Sequence, residues 1–219
     1  MSLTVSEGTT TAYSPCPAGT WPARCVQLID LGSQQSTFEG QTKTARKVLV
    51  GFEVCDPDAR RDDGAPFVAS KRFTMSLHEK SALRAFLQAW RGRPFTPEEL
   101  RGFDLRVLLG QPALLGIVHV GKDGRTFANI SSCMRLPKGM PAPAGELDLL
   151  HFDLSAPDWQ AFELLPQRVR QQIEASPEFE AIATGRPQRV NMAPAAAPAP
   201  APAGAAGSGF DDMDDDIPF

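Results

Sequence analysis

Residues 67–90 read FVASKRFTMSLHEKSALRAFLQAW, and the hydrophobic period changes within this stretch. Its first part is rich in β-favouring residues and predicts a strand. Ser76 and Glu79 then have the spacing of a capping box, and Gly92 with Pro94 ends the pattern that follows. In that pattern the large apolar side chains recur at helical spacings, at Leu77, Leu83, Phe86, Leu87 and Trp90. The stretch therefore predicts a strand followed directly by an amphipathic helix with its apolar face in the core.

Two further strands are predicted upstream of this stretch. Residues 24–31 (RCVQLIDL) form a β-favouring run that Gly32 with Ser33 ends, and residues 47–54 (KVLVGFEV) form the clearest strand of the chain. The residues between them, 32–46, are polar, with Phe38 as their only large apolar side chain. We interpret residues 32–46 as a long loop.

Downstream of the helix the sequence predicts a second pair of strands. Residues 105–109 and 113–120 are apolar runs, GKDG at 121–124 is a hairpin signal, and residues 125–134 (RTFANISSCM) form the returning strand. The order is then three strands, a helix and two strands, as in an OB-fold. We expect a mainly β domain over residues 19–138, an OB-fold-like five-stranded Greek-key barrel with the helix between strands 3 and 4. Other small barrels also fit short strands separated by turns.

The segment after the barrel, residues 146–184, predicts a short helical extension. Prolines open two short helices in it, and Ser176 with Pro177 begins a third. Its large apolar side chains are predicted to form one face, at Leu154, Trp159, Phe162, Leu165, Val169, Ile173 and Phe179. Packing of this face on the barrel is the simpler interpretation, and a surface for self-association or for a partner is the alternative. At the other end, residues 1–18 predict a flexible arm.

The chain ends in DDMDDDIPF at residues 211–219, where five carboxylates precede three apolar residues. Because like charges repel and three apolar residues cannot offset the entropy of ordering, we expect residues 210–219 to be disordered in isolation. A solubilising tail would explain the charge but not the apolar tip. A peptide ligand explains both, since the ring fills a pocket and the carboxylates steer the encounter. Residues 185–209, rich in Pro, Ala and Gly, predict a disordered linker.

Residues 214–219, DDDIPF, resemble the C-terminal tip of bacterial single-stranded DNA-binding proteins (SSB), which docks replication, recombination and repair enzymes. The resemblance implies an OB-fold upstream that holds single-stranded DNA. The usual N-terminal pattern of that family is not found here, and the family lacks the helical extension. Residues 165–180 (LPQRVRQQIEASPEFE) resemble phage-encoded proteins of the same kind, which implies a phage or prophage origin. The implied partner-binding residues are Asp211, Asp212, Asp214, Asp215, Asp216, Ile217, Pro218 and Phe219.

Charge is divided unevenly along the chain, whose formal net charge is −4. Residues 16–138 carry 18 basic and 12 acidic side chains, a net charge of +6, whereas residues 139–219 carry 4 and 13, a net charge of −9. Glu7 supplies the remaining negative charge. The acidic total therefore hides a basic domain, which suits a module that binds a polyanion while its acidic tail remains in solution or binds another protein.

In an OB-fold, single strands bind across strands 2 and 3, between the loop that joins strands 1 and 2 and the loop that joins strands 4 and 5. Cations there contact phosphates and aromatic rings stack on bases without sequence preference. The candidates are Phe38, Lys43, Arg46 and Lys47 at the first loop, Phe52 on strand 2, Lys71, Arg72 and Phe73 on strand 3, and Lys122, Arg125 and Phe127 at the other loop. Lys71 and Phe73 share one face of their strand, opposite Arg72. For each Phe a core position is the alternative, and Phe38 is the one most expected to be exposed.

Several kinds of site and location find no support in the sequence. The four cysteines, Cys16, Cys25, Cys55 and Cys133, show no C-x-x-C spacing, and no His stands at metal-ligand spacing, so we expect reduced thiols and neither a metal nor a cofactor. The N-terminus has no leader pattern and no apolar run reaches the ~18 residues of a membrane span. We therefore expect a cytoplasmic protein, in the bacterial host if it is phage encoded, with no membrane partner.

Catalysis also finds little support, because the three histidines lack a nucleophile beside them and no Gly-rich phosphate loop is present. We expect a non-catalytic protein that coats single-stranded DNA during replication and recombination and recruits enzymes through its tail. Self-association into a homo-oligomer is left open. The alternative is an interaction protein whose SSB-like tail occupies or sequesters host repair and replication enzymes without significant DNA binding.

Overall fold

The computed structural model describes residues 14–38, 41–122 and 124–183, with the side chains of Phe38 and Gln41 excepted. Most of the predicted N-terminal arm, the linker and the acidic tail lie outside these residues. The predictions made for them therefore remain predictions.

Within the described residues, six strands form one largely antiparallel sheet, which confirms the mainly β prediction. Along the sheet the strands follow the order β3-β2-β1-β4-β5, and the short β6 pairs with β1 in parallel. Each ladder between consecutive members of that order is antiparallel. The strands are β1 (Gly19–Phe38), β2 (Gln41–Val54), β3 (Val68–Thr74), β4 (Pro112–Lys122), β5 (Arg125–Met134) and β6 (Leu150–Phe152).

Five short α-helices and one 3-10 helix accompany the sheet in the described part of the chain. They are α1 (Ala82–Arg91), α2 (Pro97–Arg101), the 3-10 helix (Leu105–Leu108), α3 (Trp159–Leu164), α4 (Gln167–Glu174) and α5 (Pro177–Ile182). The first three lie between β3 and β4, where the sequence predicts a helix. The last three form the C-terminal extension.

Helix α1 begins at Ala82, five residues later than the predicted capping box at Ser76 would place it. The Ser76 hydroxyl accepts a hydrogen bond from the amide of His78 at 3.2 Å, which holds this segment in a turn instead of a helix. The capping box predicted for Ser76 and Glu79 is therefore wrong. A capping box does form at α2, where the Thr96 hydroxyl accepts from the amide of Glu99 and the Glu99 carboxylate accepts from the amide of Thr96.

The main core lies between α1 and one face of the sheet, which we call the inner face. Phe52 of β2 and Phe73 of β3 project from this face toward Phe86 and Trp90 of α1. The indole nitrogen of Trp90 donates to the carbonyl oxygen of Pro112 at 2.8 Å, so the helix is also fixed to the start of β4. The helical period read from the sequence thus identifies the face of α1 that is buried.

The C-terminal extension covers part of the opposite face of the sheet, the outer face. A second core forms there between Ile29 and Leu31 of β1, Leu49 of β2 and the extension. The apolar face predicted for residues 146–184 is therefore packed on the sheet. Of its predicted members, Leu154, Phe162, Leu165, Val169, Ile173 and Phe179 are buried and Trp159 is partly buried, and Phe152 of β6 joins them.

The sheet is not closed into a barrel in the described residues, because no ladder joins β3 to β5. The two strands nevertheless approach each other. The ammonium group of Lys71 on β3 spans the gap and donates to the carbonyl oxygen of Ile130 on β5 at 3.3 Å. One side-chain hydrogen bond therefore stands where a closed barrel has a backbone ladder.

The prediction of a long loop over residues 32–46 is wrong. Residues 32–38 and 41–46 form the outer part of a hairpin in which β1 and β2 stay paired as far as Phe38 and Gln41. This part extends beyond the apolar core, so both of its faces are polar and the apolar alternation that indicates a strand is missing. Cross-strand polar contacts take its place, as between the hydroxyls of Thr37 and Thr42 at 3.2 Å.

Candidate nucleic-acid interface

Three of the predicted cations lie on the outer face of β2 and β3. Side chains alternate along a strand, so Lys43 and Lys47 share the face of Leu49. On β3, Arg72 is the direct partner of Leu49 in the ladder and projects from the same face. Arg72 and Lys47 are therefore diagonal neighbours across the ladder of β2 and β3. Lys43 is exposed farther along the hairpin.

The other hairpin, between β4 and β5, contributes a second group of candidates. Lys122 and Arg125 are direct partners at its end, and Gly124 between them has a φ of +73°, a conformation that favours glycine. Phe127 lies on the same face as Arg125 and opposite to Ile130, whose side chain is buried in the main core. Arg125 is exposed and Phe127 is half-buried. Two cations and one accessible ring thus share the outer face of this hairpin.

The base-stacking role predicted for Phe52 and Phe73 is wrong. Phe52 is 0% exposed and Phe73 is 2% exposed, because both project from the inner face beneath α1. The centroid of Phe52 lies 5.0 Å from that of Trp90, and the centroid of Phe73 lies 4.7 Å from that of Phe86. The core alternative holds for both rings, so neither reaches a base in this structure.

Lys71 also projects from the inner face, together with Phe73, as the alternation within the strand predicts. Its ammonium group lies 5.8 Å from the centroid of the Phe73 ring and donates to Ile130 on β5. Lys71 is therefore placed to join β3 to β5, and it does not lie with Arg72 on the outer face.

Arg46 is placed in an ion pair with Asp30, whose residue surface is 4% exposed. The guanidinium makes two hydrogen bonds to the carboxylate, and that carboxylate also accepts from the amide of Gly32 at 3.0 Å. These hydrogen bonds raise the pKa of Arg46. Since the pair joins β1 to β2 where the hairpin leaves the core, its first role is to fix the hairpin.

The hairpin base is also tied to the extension, which the sequence does not predict. The carboxylate of Glu178 on α5 accepts from the amide of Ser33 at 2.8 Å and from its hydroxyl at 2.5 Å. These bonds lower the pKa of Glu178. The side-chain amide of Gln34 donates to the carbonyl oxygen of Gln172 on α4 at 2.9 Å. No local pattern could reveal these contacts, because they join residues more than 130 positions apart in the chain.

Phe38 ends β1 at the tip of the hairpin, paired with Gln41, instead of lying in an irregular loop. The position of its ring lies outside what the structure describes. The backbone alone places Phe38 beyond Lys43 at the far end of the hairpin.

Three of the four cysteines are buried, Cys16, Cys25 and Cys133. Burial raises the pKa of Cys16 to about 11 and that of Cys25 to about 12, so both favour the thiol over the reactive thiolate. Within residues 14–38, 41–122 and 124–183, no three His, Cys, Asp or Glu side chains are placed to hold a metal ion. Among the helices of these ranges, none combines the length and apolarity needed to cross a membrane.

A cleft of about 480 Å³ opens between β1, the 3-10 helix and β6. Its apolar lining includes Leu28, Leu83 and Phe103, and its polar lining includes Asp104 and His151. The Asp104 carboxylate is engaged by Arg106, which lowers its pKa to about 2. The cleft contains none of the predicted DNA-binding residues.

The predicted site is thus divided by the structure. Lys43, Lys47 and Arg72 lie together on β2 and β3, and Lys122, Arg125 and Phe127 lie together on the second hairpin. Phe52 and Phe73 are instead part of the main core, Lys71 joins β3 to β5, and Arg46 pairs with Asp30.

No protein-family model matches the chain, and a search of curated proteins finds no match either.

Proposed function

We propose that the protein is a non-catalytic single-stranded DNA-binding protein. The observation that carries this proposal is the set of cations on the part of the outer face that flanks the C-terminal extension. Lys43, Lys47 and Arg72 lie there on β2 and β3, and Arg125 and Phe127 lie on the second hairpin. Cations that can contact phosphates beside an accessible ring are the elements of sequence-independent binding to single strands.

The proposal includes an OB-fold that is open between β3 and β5. Support comes from β1, which pairs with both β2 and β4, and from α1, which lies between β3 and β4. In a closed barrel of this order, β3 would pair with β5. The bond from Lys71 to Ile130 lies at that junction. On this proposal the two hairpins border the groove in which the strand lies.

The acidic tail is proposed to recruit partner enzymes, on the strength of its resemblance to the SSB tip. Such a peptide needs a pocket for Phe219 and a basic rim for the carboxylates of Asp214–Asp216. The partners would be replication, recombination or repair enzymes that already bind SSB tails. A phage or prophage origin would fit this role, since a phage protein could then use host enzymes.

Binding of the full chain to single-stranded oligonucleotides is expected to show little sequence preference and a steep salt dependence. If Z phosphates are neutralised, log K falls with log salt concentration at a slope of about −0.7Z, so five contacts give roughly −3.5. Fluorescence anisotropy at several salt concentrations measures this slope. A charge-reversed variant, K43E/R125E, is the control, and we expect its slope to be shallower by about two contacts. Undetectable binding, together with retained docking of the tail, would favour the interaction protein that sequesters host enzymes.

Two deletions at the tail are expected to separate its competition with DNA from its docking to partner enzymes. Deleting residues 211–219 should tighten DNA binding most at low salt, because its five carboxylates compete with DNA for the cations of residues 16–138, whose net charge is +6, and are screened as salt rises. Deleting Phe219 alone leaves those carboxylates, so DNA binding should stay as in the full chain. Docking to an enzyme that binds SSB tails should nevertheless fall by more than about tenfold, because the ring and the position of the terminal carboxylate are lost. Equal docking by the full chain, the deletion of residues 211–219 and the deletion of Phe219 would show that the tail is only a charged solubilising segment.

A further inference from the structure

A second basic surface lies at the C-terminal end of α1, away from the groove residues. Helix α1 ends at Gly92, whose φ of +67° forms a left-handed cap. The side chain of Arg135, which directly follows β5, runs beside this cap: a β-carbon placed on Gly92 would lie 3.8 Å from Cδ of Arg135. Arg91 and Arg93 flank Gly92 in the sequence, and Lys138 is three residues beyond Arg135.

One carboxylate lies among these cations. Glu99 of α2 forms ion pairs with Arg91 and with Arg93, the latter at 2.7 Å, and the bonds from Arg93 contribute most to lowering its pKa to about 2. A single negative charge is thus shared by two guanidinium groups. Arg135, beside the helix cap, and Lys138, three residues later in the chain, add two further cations. Arg135 and Lys138 are both exposed. The Arg91 side chain is only 14% exposed and packs over the rings of Phe95 and Phe103, so we call Arg93, Arg135 and Lys138 the α1-end surface.

Strand β5, at the edge of the sheet, runs from the proposed groove on the outer face to this surface, which lies on the side of α1 and the inner face. The strand begins at Arg125 in the second hairpin, and Arg135 stands ten residues later, about 33 Å away along an extended strand. Its sequence, RTFANISSCM, contains no carboxylate, and Ser131 and Ser132 near its end are exposed. A polyanion that follows β5 away from the groove therefore meets no negative side chain of that strand before it reaches the α1-end surface.

We propose that the α1-end surface is a second phosphate-contacting site, used by single strands that extend past the groove. This inference rests on the proposed function, because it assigns a further part of the path of the same DNA strand. An alternative role for Arg135 is to interact with the carbonyl groups at the end of α1, where the helix dipole favours cations. That role would affect stability and would not depend on the length of the DNA.

The length of the oligonucleotide is the variable that tests the proposal. We would compare the full chain with Arg135→Glu, using oligo-dT of about 8 and about 24 nucleotides, lengths on either side of the ~16-nucleotide upper limit for one OB-fold. Lys80→Glu is the matched control, since Lys80 is exposed, carries the same charge and lies before the opposite end of the helix, about 15 Å away. Sedimentation would verify one protein per oligonucleotide.

We expect Arg135→Glu to weaken binding of the longer strand at least about threefold and to reduce its salt slope by about 0.7, with the shorter strand unaffected. An equal effect on both lengths, or an effect no larger than that of Lys80→Glu, would overturn the proposal while leaving DNA binding itself intact. If neither oligonucleotide bound to the unaltered chain, the proposed function would fail first. If Arg135→Glu lowers the Tm, the same comparison of the two oligonucleotides is made with Lys138→Glu, because Lys138 lies outside the helices and strands. The same results then support or overturn the proposal.

Discussion

Replacing Phe52 by alanine is expected to lower the free energy of unfolding by about 3–5 kcal/mol and to leave the DNA affinity of the folded protein unchanged. The ring is fully buried between β2 and α1, against Phe86 and Trp90. Its removal deletes apolar contacts and leaves a cavity that the surrounding strands and helix can fill only in part. Denaturant unfolding measures the first effect. Anisotropy under conditions where the variant is folded measures the second.

Phe127→Ala is the matched control, because it removes the same ring from the outer face of the second hairpin. Phe127 is only half-buried, so we expect a smaller loss of stability than for Phe52→Ala. If its ring stacks on a base, DNA affinity should fall by about 1–3 kcal/mol. A loss of affinity for Phe52→Ala at full folding would restore that ring as a DNA contact and would contradict the assignment of the two faces.

The sequence predicts which side chains share a face better than it predicts what covers that face. Lys71 and Phe73 lie together and Arg72 lies opposite, as strand alternation requires. The run KVLVGFEV, however, is apolar at nearly every position because both faces of β2 are covered. Phe52 and its neighbours at alternate positions lie under α1, and Leu49 lies under the extension. A strand buried on both sides gives no period from which its inner and outer faces can be distinguished.

The prediction of a loop in place of the hairpin is wrong for a related reason. Its polar residues 33–37 and 42–46 are paired across the strands by backbone hydrogen bonds, which the side-chain pattern does not report. Its base depends on contacts of Asp30 with Arg46 and of Ser33 with Glu178, which only the tertiary fold brings together. The three-residue β6 was missed because it is too short to show a period. Local patterns therefore located most of the strands, whereas the parts of the candidate site that depend on distant contacts needed the structure.

Glu53 also depends on a distant contact, with the segment that leads from β5 to β6. Its side chain projects from the outer face of β2 and is 1% exposed. The carboxylate accepts from the guanidinium of Arg24 at 3.2 Å and from the amide of Glu146 at 2.6 Å. It also accepts from the amide of Leu147 at 3.3 Å, while Arg24 donates to the carbonyl oxygen of Leu147 at 2.5 Å. One buried ion pair thus holds the backbone of the connecting segment against the sheet.

Glu53→Ala is expected to lower the free energy of unfolding by about 3–5 kcal/mol, because it leaves the partly buried Arg24 without its counter-charge and two backbone amides without an acceptor. Glu53→Gln keeps one acceptor oxygen and should cost less, about 1–3 kcal/mol. Hydrogen exchange at Glu146 and Leu147 should accelerate in both variants, and more strongly in Glu53→Ala. Denaturant unfolding combined with exchange measures both quantities.

Glu146→Ala serves as the control for this pair of variants. The Glu146 side chain is exposed and bonds to Arg60 at 2.6 Å, whereas its amide, which Glu53 binds, is retained. An exposed ion pair contributes little, so the control should unfold almost as the unaltered chain does. If Glu53→Ala behaved like this control, the connecting segment would be held by the apolar contacts of the extension alone. If it unfolded the extension while the main core persisted, the buried pair would be the link that makes the sheet and the extension one cooperative unit.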